Sequence, residues 1–465
     1  MTQPASTSPA AAPPPGPSLL AMTAPLVLSF WMRSAFSFVD TAYAATLGDA
    51  AIAAIGLAVP LDFLMIACWV GLSNGLTARL SQAMGAGQGA KIRQLESASW
   101  RLITMVLLPL FLVTSAAVWL AADHLGLTAE VARNFAIYGS VTLAGSALTS
   151  FWSIVPDSLI KAHQDTRATM WAGIWSNVIN LILNTLFLFV FHWGIFGIAF
   201  STVLGRFGGL IYAVRKARLH EAARKARGTD TSKALDPHPT WSILALALPA
   251  AAAYGLMALE STFINALLAG TRNATAAIAA FSIYYRVMMF AIMPIIAASV
   301  AVLPYTARQF GLGNLDAIRK GFRQISLTMV GYSLLVVAPL TWFGGPPLAS
   351  AMAEEPLTSA LATFALRLTP LACLVGIPFF VCRPVFEAMG RGRPGLMVAL
   401  LRYAVLTVPS ALLGVRLAAA WGYPAFHGLL LGLLAATAFS SAIFHGWLAA
   451  YLRRARPEVV TSPAR

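Results

Sequence analysis

One carboxylic acid, Asp40, lies inside the first long apolar stretch of this 465-residue sequence, which runs from Leu19 to Thr46. A helix of about 25 such residues can cross the hydrocarbon core of a bilayer, which is about 30 Å thick. An ionisable group there costs roughly 2.5 kcal/mol or more, so Asp40 predicts a site that exchanges protons or cations. The alternative is an interfacial carboxylate that caps the helix end, because Asp49 and its turn follow shortly afterwards.

Amide side chains form a second polar pattern. Asn180 and Asn184 are four residues apart in the fifth apolar stretch, so they share one face of a helix, and Asn177 lies close to them. Such a cluster suits an ion site. It equally suits interhelical hydrogen bonds that hold a bundle together, worth about 0.6 kcal/mol each, and both interpretations stay open.

Two further acids lie within apolar stretches and are candidates for a substrate cavity. Glu260 lies near the middle of the seventh stretch, where it would contact a cationic substrate or pair with Arg286 in the next helix. Asp62 lies a third of the way along the second stretch and is placed to line a cavity. Phe38 and Met257 are candidates for an adaptable aromatic and thioether surface of the kind that promiscuous cation binders use.

The composition identifies the kind of chain that must position these residues. Hydrophobic residues make up 58% of it and charged residues only 11%, whereas soluble domains carry about 25% charge. We therefore expect a polytopic membrane protein. The sequence contains no phosphate-binding glycine loop, no nucleophile elbow and no cluster with metal-ligand spacing, so we expect no enzyme, no metal and no bound cofactor.

Twelve apolar stretches follow one another without the alternating pattern of a lipid-facing barrel. They predict an all-α fold with twelve transmembrane helices. Their approximate limits are 18–44, 50–80, 95–121, 132–156, 168–192, 195–214, 241–269, 275–305, 322–344, 358–386, 395–414 and 424–451.

The net charge of +15 is explained by topology and does not predict nucleic-acid binding. If both termini are cytoplasmic, the outer loops hold only three basic residues, Arg133, Arg272 and Arg416. The basic residues of the other loops and of the tails then lie on the cytoplasmic side. This distribution follows the positive-inside rule. We expect the protein to lie in the lipid bilayer of a bacterial-type inner membrane, with both termini cytoplasmic.

The chain divides into two halves at a polar, basic segment between the sixth and seventh stretches. A single constant shift along the chain aligns 50–54 with 276–280, 85–87 with 311–313, and Arg167 with Arg393. Two repeats of six spans share one orientation, so we expect two pseudo-symmetric six-helix bundles. The predicted units are a disordered tail 1–17, a lobe 18–214, a cytoplasmic linker 215–240, a lobe 241–452 and a basic tail 453–465.

The sequence resembles the multidrug and toxic compound extrusion (MATE) transporters, including their DinF-like branch. The similarity lies in Phe38-Val39-Asp40-Thr41, in residues 47–50, 71–75 and 81–87, and in the inner-loop segment 160–167. It extends over nearly the whole chain. The resemblance implies two bundles around a central cavity, alternating access, and export of organic cations driven by inward proton or sodium flow.

The resemblance also nominates ion-coupling residues. Asp40 corresponds to the family's acid in the first span, Asn180 and Asn184 to an Asn-x-x-x-Asp pair, and Thr202 to a threonine of the sixth span. Asn184 departs from the pattern, since many members have aspartate there. A sodium site favours several hard oxygen ligands and negative charge, whereas proton coupling needs only one carboxylate, so the departure favours a proton.

The primary hypothesis is therefore a monomeric antiporter that exports amphipathic organic cations in exchange for protons. One alternative is a flippase for lipid-linked sugars, which the intramembrane arginines Arg33, Arg286, Arg367, Arg383 and Arg402 keep open. A second alternative, from a different class, is a membrane-embedded transferase. It would need a paired acid or a His-Asp constellation at one membrane face.

The charge distribution makes a prediction about topology. A reporter tag inserted between Lys225 and Lys233 should be accessible only from the cytoplasm, and a tag at Glu354 only from outside, as measured by labelling of intact and permeabilised cells. Labelling of both tags from the same side would contradict the twelve-span topology.

Overall fold

The computed structural model describes residues 17–228, 230, 232, 234–271 and 273–455, and excludes the side chains of residues 36–41, 258, 261 and 262. These residues form helices and contain no strand. Twelve long helices follow one another along this part of the chain, with a short helix, Gly345–Met352, between the ninth and tenth. They are α1 Leu19–Ala45, α2 Asp49–Gly85, α3 Gly89–His124, α4 Ala129–Ala162, α5 Thr166–Val190, α6 Gly194–Ala226, α7 Pro239–Ala269, α8 Ala274–Gly311, α9 Leu315–Phe343, α10 Pro356–Ala388, α11 Arg393–Ala420 and α12 Ala425–Arg454.

The predicted all-α fold with twelve spans is confirmed. Among the described residues, ten helices are long and apolar enough to cross a membrane, and Leu19–Ala35 of α1 is a shorter apolar segment. α6 continues as a helix beyond the apolar limit predicted at residue 214, and the next helix starts at Pro239. Most of the predicted tail regions, residues 1–16 and 456–465, lie outside the described residues.

The two halves share their turn geometry in the register that the sequence indicates. Gly87 and Gly313 are equivalent in this register, and they adopt positive φ values of 64° and 73°. Gln164 and Gly390, which the same shift aligns, have φ values of 62° and 80°. Left-handed backbone ends these helices at corresponding loops, so the repeat is visible in the backbone conformation as well as in the sequence.

Helix packing repeats between the halves. In the first half α4 packs against α2 and α6, and α5 packs against α1 and α6. In the second half α10 packs against α8 and α12, and α11 packs against α7 and α12. Each half therefore surrounds an interior with its first, second, fourth, fifth and sixth helices.

The halves meet through α2 against α7 and α1 against α8. Gly71 and Gly75 form a small-residue face on α2, and a Cβ at either position would lie within 2.8 Å of α7. At Gly75 the nearest atom would be the Ile243 carbonyl oxygen at 2.7 Å. Such faces let two helix backbones approach closely in lipid. The contact lies towards one end of the bundle, where the loops after α2, α4, α8 and α10 lie. We call it the basic end because the helix ends that flank these loops, and the segment between α6 and α7, carry most of the basic residues.

Close packing at Gly75 predicts that this arrangement tolerates no side chain there. Gly75→Val should lower the free energy of unfolding by about 1–3 kcal/mol through overpacking, measured as a lower melting temperature of the purified protein. Gly446→Val on α12 is the matched control, because a Cβ at Gly446 has no atom within 4 Å. Equal melting temperatures for the two variants would contradict the close contact between α2 and α7.

Candidate functional site

The interior of the first half contains the amide network that the sequence predicts. Asn184, fully buried on α5, donates from Nδ2 to Asn180 Oδ1 at 3.3 Å. Asn180 Nδ2 in turn donates to Thr202 Oγ1 on α6 at 3.2 Å. The structure thus brings together Asn180, Asn184 and Thr202. Asn177, half-buried one turn earlier, contributes no side-chain hydrogen bond to this network within the described part of the chain.

A serine that is not among the predicted site residues also belongs to the network. Ser201 is fully buried and donates to Asn184 Oδ1 at 2.5 Å, with the Ile198 carbonyl oxygen at 2.8 Å as a second acceptor. Gly205, one turn further along α6, lets that helix approach α5, because a Cβ there would lie 2.6 Å from the Ser176 carbonyl oxygen. A glycine one turn after two hydroxyl residues was the available sequence signal.

The backbone of α1 passes beside this network. Ser29 Oγ lies 3.1 Å from where a Cβ on Gly173 would be, and Tyr43 OH lies 2.6 Å from Thr185 Oγ1. α1 and α5 start at the same end of the bundle and run in the same direction. Interpolation between the two contacts places backbone position 40 level with the α5 segment between Asn180 and Asn184. The side chains of Asp40 and Phe38 lie outside the described residues.

Asp62 belongs to a different charged group in the same half. It is half-buried on α2 and interacts electrostatically with Arg206 on α6. Arg33 on α1 lies near enough to Arg206 for the two positive charges to repel each other, and Arg206 donates to Ser146 Oγ. In the sequence, Arg206 is not distinguished from the basic residues that follow it along α6. Asp62 therefore has a cationic neighbour within its own half.

The second half contains a partly open cavity of about 140 Å³. Met257 and Glu260 from α7 line it together with side chains of α8, α10, α11 and α12, so the structure brings these two predicted residues into one site. Tyr284, Tyr285 and Phe380 contribute aromatic surface. The remaining lining residues are mainly aliphatic.

Of the two alternatives for Glu260, the pairing with Arg286 is not found in the structure. Instead of Arg286, which is exposed on α8, the carboxylate faces Arg402 of α11, with Nη2 of Arg402 at 3.8 Å from Oε2. Thr407 Oγ1 lies 3.0 Å from Glu260 Oε1 and donates to it or to the carbonyl oxygen of Arg402. Residues Leu400–Leu406 form a π-helical segment, which changes the direction of side chains along α11. The direction of the Arg402 side chain therefore does not follow from the spacing of a regular α-helix.

Polar side chains of α2 join the halves at the basic end. Arg79 Nε donates to the Ser242 carbonyl oxygen at 3.1 Å, and Gln82 Nε2 donates to the Ala388 carbonyl oxygen at 2.6 Å. Asn74 Nδ2 reaches Glu387 Oε2 at 3.5 Å. These contacts cross between halves, so they could not be identified from one helix at a time. They hold the basic end closed in this conformation.

Comparison with known families decides the assignment. The family model MatE matches residues 25–186 and 249–413, once in each half of the chain. The chain belongs to the MatE family, the MATE transporters. Its members are transporters and not enzymes, so a membrane-embedded transferase is excluded, and the flippase alternative is not favoured.

Individual MATE relatives are similar over most of their length. An FAD transporter of Shewanella oneidensis is 24% identical over 412 residues, which is 86% of this chain and 88% of the relative. The multidrug export protein MepA of Staphylococcus saprophyticus subsp. saprophyticus is 22% identical over 83% of this chain and 85% of its own. A structure of the Vibrio cholerae MATE transporter VcmN, an aspartate-to-asparagine variant, is 25% identical with a TM-score of 0.82, over 95% of this chain and 98% of that one.

The buried network of the first half predicts that Ser201 is a necessary donor. Ser201→Ala removes the hydroxyl that reaches Asn184 Oδ1, so it should cost about 1–3 kcal/mol of stability, measured by thermal unfolding of the purified protein. Ser201→Thr should restore most of this. Ser282→Ala is the control, because Ser282 is exposed and donates only to its own helix. A Ser201→Ala protein as stable as the Ser282→Ala protein would contradict the network.

Proposed function

We propose that this MATE transporter is an antiporter that exports amphipathic organic cations in exchange for inward protons. The observation that carries the proposal is the buried amide and hydroxyl network of the first half, level with position 40 of α1. A bilayer interior provides no water for a carboxylate, so protein donors must stabilise its charged form. Asn180, Asn184 and Thr202 are the residues proposed for this role.

The geometry of the amides supports a proton as the coupling ion. A sodium ion would need several hard oxygen ligands. The side-chain oxygen of Asn184 already accepts from Ser201, and that of Asn180 accepts from Asn184. A sodium ion would have to share these oxygens with the hydrogen bonds that they already accept, whereas protonation of Asp40 requires no ligand from the amides. Desolvation favours the neutral form of a buried carboxyl group, which suits proton uptake.

Alternating access is the proposed mechanism of transport. The halves contact each other at the basic end through Gly71, Gly75 and Gln82, and with the predicted topology this is the cytoplasmic end. The conformation would then be the one that faces outward. Protonation of Asp40 would weaken the hydrogen bonds that we propose between its charged form and the network, and would change how α1 packs on α5. In this way a change of charge would shift the equilibrium between the conformation closed at the basic end and the conformation closed at the opposite end.

The second half is proposed to contribute substrate contacts. Glu260 supplies negative charge to a cavity whose aromatic and methionine side chains suit cations of differing shape. The family relatives named as multidrug export proteins support such a substrate range for this chain. We further propose that the transporter acts as a monomer in a bacterial inner membrane.

The direct test is Asp40→Asn, because asparagine removes the titratable group at nearly unchanged size. The variant should insert and fold but lose export of the cationic dye ethidium from proteoliposomes under an imposed proton gradient. The wild-type protein should respond to a proton gradient and not to a sodium gradient. Glu260→Gln should reduce ethidium export more mildly.

The matched control is Asp49→Asn, which removes an exposed acid from the first turn of α2 and should export normally. If Asp40→Asn exported at the wild-type rate while Glu260→Gln was inactive, the coupling site would lie in the second half. Export driven equally well by sodium alone would contradict the choice of ion.

A further inference from the structure

Arg402 has hydrogen-bonding capacity that its surroundings do not use. Its Nε is buried and has no acceptor among the described residues. Its nearest acid, Glu260, lies at an N···O distance of 3.8 Å, too long for a good hydrogen bond. A guanidinium carries five donors in a planar fork, and a buried donor without an acceptor is costly. The cavity therefore contains a cation with free donors.

Two aromatic rings hold this guanidinium in place. Its central carbon lies 4.6 Å from the ring centre of Phe379 and 4.8 Å from that of Tyr403. Both rings attract the cation through their π faces and limit its rotation. Arg402 thus remains in the wall of the cavity, where a ligand with acceptor oxygens would approach the terminal nitrogens of the guanidinium, since its Nε is buried.

We propose that the cavity of the second half binds amphipathic organic anions, with a carboxylate, sulfonate or phosphate group held by Arg402. An anionic group can form the paired, charge-assisted hydrogen bonds for which the guanidinium is shaped. The apolar body of the ligand, aromatic or aliphatic, would lie against Tyr284, Phe380 and the methionines Met257 and Met288. This site is separate from the proposed coupling site in the first half.

Glu260 determines the direction of the effect that the proposal predicts for its own substitution. Its carboxylate is 3.8 Å from Arg402, so it repels an anion that approaches the guanidinium. Removing this charge should therefore strengthen anion binding, although the same change should weaken transport of cations. The inference rests on the proposed function only in assuming that the cavity is a ligand site. It requires no ion gradient, so failure of proton coupling would leave it intact.

Two sources can supply such an anion. One is a soluble amphipathic anion that the transporter carries, and the other is the phosphate of a lipid headgroup with its apolar chains. The chemistry at Arg402 is the same for both. Competition with a short-chain anionic lipid distinguishes them. Only at a site that binds lipid would a low concentration of this lipid displace the soluble probe.

The test uses two fluorescent probes with the same ring system. 8-Anilinonaphthalene-1-sulfonate carries an anionic group, and N-phenyl-1-naphthylamine is its neutral counterpart without the sulfonate. Both are titrated into the full-length purified protein in detergent, with empty detergent as the blank. Arg402→Met should weaken binding of the sulfonate about tenfold or more, because a charge-assisted hydrogen bond is lost, and should change binding of the neutral probe far less.

Further variants keep the result interpretable. Glu260→Gln should tighten sulfonate binding, and the double variant Glu260→Gln/Arg402→Met, which leaves no unpaired charge, should still lose it. Arg367→Met is the matched control, since Arg367 is an exposed arginine over the ring of Trp342 and does not line the cavity. It should bind both probes as the wild type does.

Several outcomes would overturn the proposal. Equal sulfonate binding by the wild type and by both Arg402→Met variants would show that the arginine is only structural. Equal loss of the neutral and anionic probes would indicate a collapsed cavity without anion recognition. If Arg402-dependent binding is found, displacement by dioctanoyl phosphatidylglycerol supports a lipid phosphate as the natural ligand. Absence of displacement supports a soluble anion.

Discussion

A polar side chain in the interior of a membrane protein must find its partners inside the protein, because the bilayer supplies none. This constraint organises both halves of the transporter. Asn180, Asn184 and Ser201 form hydrogen bonds with one another, and Glu260 lies beside Thr407 and Arg402. A single change of charge in such a network alters how neighbouring helices pack. In the proposed mechanism a proton acts on the conformation of the whole transporter in this way.

The halves share a backbone plan but differ in charge. Asp157 and Lys161 pair on α4 at 2.6 Å, and the equivalent positions of α10 carry Arg383 and Glu387, paired at 2.8 Å with the charges exchanged. The two proposed sites differ more strongly. The first half presents neutral amides and hydroxyls between its fifth and sixth helices, whereas the second presents an arginine and a glutamate between its first and fifth. One fold thus supplies two chemically distinct sites.

Much of this organisation was predictable from the sequence because its signals are periodic. Continuous apolar stretches predict the helices, the constant shift between matching segments predicts the repeat, and the spacing of Asn180 and Asn184 predicts one polar face. The pairing of Glu260 with Arg402 was not predictable, because it depends on the π-helical segment of α11. Ser201 was missed because a helical serine usually bonds its own backbone. The contact of Gln82 with α10 depends on how the halves pack.

The central claim is that Asp40 exchanges a proton for a cationic substrate. It is tested most directly by the protons released when ethidium is added to the purified protein in weakly buffered detergent solution, recorded with a pH indicator dye. The account predicts release of about one proton per bound cation for the wild type, since one carboxyl group changes its charge, and none for Asp40→Asn. Release that persists unchanged in the Asp40→Asn protein, or its absence in the wild type, would contradict the account.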